Sequence, residues 1–66
     1  MAREVRFAAL RAQLESAGWV LKRIRGSHHI FVKRERLPIS IPVHKNKVKA
    51  VYVRKVQQIL EEEQEP

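Results

Sequence analysis

The spacing of the apolar residues changes at Gly18, and that change decides which elements this chain can build. Before it, Phe7, Leu10, Leu14 and Ala17 fall at i, i+3, i+7 and i+10, one stripe of a 3.6-residue period. Arg3, Arg6, Arg11, Gln13 and Glu15 take the other side, so residues 2–17 read as an amphipathic helix. Gly18 stands where a left-handed C-terminal cap suits glycine. After it the spacing is that of strands. Trp19–Arg25 is rich in β-formers, Gly26-Ser27 is a turn signal, and His28–Lys33 is a second strand. Arg34-Glu35-Arg36 makes a polar tip. In Leu37–Pro42 the apolar Leu37, Ile39 and Ile41 alternate with Pro38, Ser40 and Pro42. Proline cannot donate to a ladder, which puts this third strand at an edge. Short connections between consecutive strands favour an antiparallel meander.

Val43–Lys47 reads as a basic loop, and a second helix is predicted from about Val48. Val48, Tyr52, Val56, Ile59 and Leu60 form its apolar stripe, with Val53 at the margin and Arg54, Lys55, Gln57 and Gln58 facing water. Glu61, Glu62, Glu63 and Glu65 oppose the helix dipole, which favours cations at a C-terminus, so the last four or five residues are expected to fray. The predicted fold is α+β in the order α-β-β-β-α, a three-stranded antiparallel sheet with two helices on one face and the other face open. It forms a single domain over residues 1–66, with a core at about 4–60 and an acidic tail at 61–66.

Sixty-six residues leave no room for a deep catalytic cavity, because a chain this short buries only about 60% of its surface. Any site must be shallow and built on the sheet or on a helix. With no cysteine, neither disulfides nor a thiolate metal site supports the fold. No apolar run approaches the ~20 residues of a membrane span, and Met1–Arg6 is no signal peptide, so a cytosolic protein is expected.

Charge narrows the partner. The net charge is +7, and it is concentrated. Lys22, Arg23, Arg25, Lys33, Arg34, Arg36, Lys45, Lys47, Lys49, Arg54 and Lys55 stand against Glu35 alone, a local net of +10. Such a field attracts polyanions, and nucleic acid is the default one. Arg23, Arg25, Lys33, Arg36, Lys45 and Lys47 are candidate RNA phosphate contacts. Lys22 and Arg34 are weaker candidates, since alternation sends one of each neighbouring pair away.

Three histidines carry the chemistry available near neutral pH. His28 and His29 are adjacent in a strand and must face opposite ways. His44 lies in the loop before the second helix. RNA cleavage without metal needs a base for the 2′-hydroxyl, an acid for the leaving 5′ oxygen, and cations for the charge building on phosphate. A histidine on a basic, open sheet supplies these parts, and DNA, lacking the 2′-hydroxyl, is no substrate. A metal site from His28, His29 and His44 is disfavoured by the diverging pair. Trp19 and Phe31 could stack on bases, but a core this small needs them inside, and Tyr52 likewise. The same basic residues would also suit a passive RNA-binding domain or a protein-interaction module.

The stretch Gly26-Ser27-His28-His29-Ile30-Phe31 resembles the HicA toxin family, the small mRNA interferases of HicAB toxin–antitoxin modules. The resemblance runs from about Glu4 to Leu60. It takes in Ala17-Gly18-Trp19, Lys22-Arg23, Ile41-Pro42-Val43-His44 with Lys45-Asn46-Lys47, and Val53-Arg54-Lys55-Val56. It departs where Ala50-Val51-Tyr52 replaces the usual helix-opening proline, and the connection from His44 is shorter. The resemblance implies a fold like that of double-stranded-RNA-binding domains and ribosome-independent cleavage of mRNA without a cofactor. The required histidine maps to His28, presented by a turn at Gly26 and Ser27, with His29 as the alternative since some relatives shift it by one place. The implied partners are mRNA and a HicB-like antitoxin that covers the histidine.

Overall fold

The computed structural model describes residues 4–64. Its elements are β1 (Glu4–Arg6), α1 (Phe7–Ser16), β2 (Val20–Arg25), β3 (His28–Val32), β4 (Ile39–Pro42), β5 (Lys47–Lys49) and α2 (Ala50–Gln64). Strands β2, β3 and β4 form an antiparallel sheet in that order, so the proline-bearing β4 lies at an edge, as its sequence requires. The architecture is α+β and compatible with the predicted α-β-β-β-α order, with an antiparallel ribbon of β1 and β5 added to it.

The core gathers one face of every element. Leu10 and Leu14 of α1, Phe31 and Ile41 of the sheet, Val48 of β5, and Val53 and Val56 of α2 are buried together with Trp19. Val53, expected at the margin of its helix, belongs to this core, and both helices cover the sheet face that carries Phe31 and Ile41.

α1 ends as Gly18 predicts. Gly18 adopts φ 94°, its N–H bonds the Glu15 carbonyl at 3.1 Å, and the Trp19 N–H bonds the Leu14 carbonyl at 2.9 Å. This is a Schellman cap, and the two residues it joins at its outer bond, Leu14 and Trp19, are both core side chains.

Three expectations are corrected. Residues 4–6 are a strand, not the first turn of the helix, while residues 2 and 3 lie outside the described residues. Val5 pairs with Val48, inward, while Arg6 opposes Lys47 and Glu4 opposes Lys49, outward. A tertiary partner thus overrides the helical pattern that Phe7, Leu10 and Leu14 extend backwards. The basic loop, secondly, is a hairpin. His44 and Lys47 exchange both backbone hydrogen bonds, at 3.0 and 2.9 Å, around Lys45 and Asn46 with φ 52° and 64°, the signature of a type I′ turn. Val48 therefore sits in β5, and α2 begins at Ala50.

The third correction concerns the acidic end, which is helical through Gln64 within the described residues. Glu63 holds it there. Its side chain is only 6% exposed and meets Lys33 Nζ at 3.3 Å and Arg36 Nε at 3.2 Å. The Trp19 indole N–H donates to Glu63 Oε1 at 3.2 Å. Oε2 accepts no hydrogen bond, so Arg36 holds it by charge alone. A long-range clamp outweighs the unfavourable dipole.

Candidate active site

The site begins with a turn. β2 and β3 are joined by the two residues Gly26 and Ser27, and Gly26 has φ 60° while Ser27 does not enter the left-handed region. A two-residue hairpin with glycine first is a type II′ pattern, whose twist matches the strands. The Ser27 carbonyl accepts the Val43 N–H at 2.7 Å, which ties this turn to the end of β4.

His28 follows the turn as the first residue of β3 and is exposed. Its strand partners are Arg25 on one side and Pro42 on the other, and in the next row along the same face Ile30 lies between Arg23 and Ser40. Phe31 and Ile41 belong to the opposite, helix-covered face. His28 therefore stands on the open face beside two arginines, over a floor that includes Val20, Ile30 and Val32.

The two arginines reach that face because of an irregularity. Leu21 pairs with Phe31 on the core side, and plain alternation from there would send Arg23 and Arg25 to the core side as well. A bulge between Leu21 and Arg23 inserts Lys22, shifts the register by one, and sets Arg23 opposite Ile30 and Arg25 opposite His28. Sequence reasoning missed the bulge, since consecutive polar residues in an edge strand carry no alternation to break.

His29 points the other way. Its half-buried ring lies 4.5 Å from the Phe7 ring at 57°, and its Nδ1 is 3.3 Å from the Ser27 carbonyl. The second histidine thus braces the turn that presents the first. His44 is exposed in the neighbouring hairpin. Among the described residues, no three His, Cys, Asp or Glu side chains converge as metal ligands.

The basic residues divide into three groups. Arg23 and Arg25 share the His28 face. Lys45 and Lys47 line a cleft with Arg6, Phe7, Ala8 and Asn46 at the start of α1. Lys33 and Arg36, also candidate phosphate contacts, are engaged by Glu63 at the far end of β3. Five residues of strand put Lys33 about 16 Å from His28, so the structure does not bring these two cations to the histidine. Lys22 occupies the bulge and Arg34 the exposed loop after β3. Trp19 and Phe31, at 2% and 0% exposure, are core residues and cannot stack on a base.

Among the described residues no helix is long and apolar enough to cross a membrane. The family model described as HicA toxin of bacterial toxin–antitoxin matches residues 8–62. No curated protein and no solved structure matches the chain significantly.

Proposed function

The chain belongs to the HicA toxin family of bacterial toxin–antitoxin modules, and from that premise we propose that it is a ribosome-independent endoribonuclease that cleaves mRNA through proton transfer at His28. The observation that carries this reading is the exposure of His28 on the open sheet face, with Arg25 opposite it and Arg23 in the next row. Single-stranded RNA laid over the face brings a ribose 2′-hydroxyl to the imidazole. Loss of that proton lets the 2′ oxygen attack the adjacent phosphorus. The P–O5′ bond breaks, the 5′ oxygen leaves with a proton, and a 2′,3′-cyclic phosphate remains. Arg25 and Arg23 face the charge that builds on the phosphate oxygens. No metal ion enters the scheme. The apolar floor around His28 suits a protein partner as well, and a HicB-like antitoxin silences the enzyme by covering this face in the cytoplasm, where mRNA is found.

Two variants separate the histidines. His28→Ala removes the proton-transfer group without disturbing a buried contact and lowers cleavage by about 10²–10⁴-fold or more, with the thermal midpoint unchanged. His29→Phe keeps an aromatic ring against Phe7 and retains most of the activity. The assay is cleavage of labelled single-stranded RNA by purified protein in the presence of a chelator. Cleavage by His28→Ala at the unsubstituted rate, or RNA binding with no cleavage by the unsubstituted chain, overturns the reading.

A further inference from the structure

A second concentration of positive charge lies off the open face. Where β1 and β5 pair, Arg6 and Lys47 are directly opposed on the outward side. Like charges so placed in an antiparallel ribbon repel each other. Lys45 adds a third cation from the type I′ turn, at φ 52°, a conformation that asparagine or glycine adopts with less strain. These three side chains, with Phe7, Ala8 and Asn46, enclose an open cleft of about 480 Å³. Among the described residues none of the three forms an ion pair. Local stability is thus sacrificed twice to hold cations around one concavity. The positive end of α1 adds to their field.

We infer that the Arg6–Lys45–Lys47 cleft is a subsite for a backbone phosphate of the RNA, a few nucleotides from the bond cut at His28. The inference rests on the RNA-cleaving reading above and extends it. The Ser27–Val43 hydrogen bond places the His28 turn beside the strand that leads into the 44–47 hairpin. Chain reach through that bond keeps the Cα atoms of His28 and Lys45 within about 16 Å. Exposed His44 lies between them along the chain. An RNA strand leaving the open face over this end of the sheet meets the cleft next. Lys33 and Arg36, held by Glu63 at the other end, offer no comparable exit.

The test is the double variant Arg6→Gln/Lys47→Gln, with Arg54→Gln/Lys55→Gln as a control of equal charge on the exposed side of α2. Binding of a single-stranded RNA is measured against salt in a His28→Ala background, so that cleavage does not interfere. Loss of the contacts to that one phosphate lowers the salt slope by about 0.7. In the active chain, KM for that RNA rises by about tenfold while kcat stays the same, and a dinucleotide, too short to reach the cleft, is cleaved as before. Relief of the opposed charges raises the thermal midpoint, which a structural role for these residues would lower. A salt slope and KM no different from those of the control variant, or a fall in kcat together with the thermal midpoint, overturns the subsite. If the unsubstituted chain cleaves RNA and the double variant matches it, only the subsite falls. If the unsubstituted chain does not bind RNA at all, the functional reading fails first.

Discussion

Glu63→Ala removes the clamp at the end of α2, and its consequence can be worked out from the groups left behind. The Trp19 indole N–H, on a residue 2% exposed, loses its acceptor. An unpaired buried donor of this kind costs about 1–3 kcal/mol. Lys33 and Arg36 lose a partner, but their side chains are 29% and 49% exposed and water takes them back. Such half-solvated pairs contribute about 0–1 kcal/mol. Against these losses, alanine is the better helix former, and removal of a negative charge from a C-terminal turn returns about 0.3–1 kcal/mol. The net is a destabilisation of about 1–2 kcal/mol, a large share of the roughly 3–10 kcal/mol expected for a chain this short. The thermal midpoint falls by about 5–15 °C. Urea unfolding followed by the emission of Trp19, the single tryptophan, reads the same quantity. Glu63→Gln keeps an acceptor for the indole and loses about half as much or less. An unchanged or higher midpoint for Glu63→Ala would refute the clamp and restore the frayed end that the dipole argument favours.

Two turn positions give further predictions. A Cβ on Gly26 meets no atom within 4 Å, so Gly26→Ala is opposed only by the backbone at φ 60°. The cost is about 1–2 kcal/mol, read as a lower thermal midpoint, and an unaltered midpoint would contradict the II′ turn. Lys45→Asn relieves a left-handed lysine and raises stability by roughly 0.5–1 kcal/mol while weakening RNA binding through the lost cation. A fall in the midpoint of that variant would contradict the type I′ hairpin.

The main sheet and both helices were legible because their patterns are long enough to repeat. Leu10 and Leu14 mark a helical stripe, Ile39 and Ile41 a strand, and Gly18 a cap that its hydrogen bonds bear out. The β1–β5 ribbon was not legible. Glu-Val-Arg and Lys-Val-Lys are three-residue strands, too short for alternation to register, and each gains its meaning only from the other. How the cations are distributed over the surface was not legible either. Lys33 and Arg36 add to the same charge count as Arg23 and Arg25, yet strand direction carries them to the end where Glu63 waits. Opposed facing for His28 and His29 followed from strand geometry alone, whereas the bulge that turns the arginines toward His28 did not.

The ribbon has a consequence for how the chain comes into being. The partner of Glu4–Arg6 is synthesised roughly forty residues later, and Val48, Val53 and Val56 come with or after it. Until then the hydrophobic side of the meander has no lid, and closing so long a loop carries its entropy cost before any contact repays it. A nascent or prematurely terminated product therefore presents no finished histidine surface. Products that stop short of β5 and α2 thus leave the sheet without its full cover, and the toxin fold is assembled only after residues 47–56 have been made and have docked on the meander.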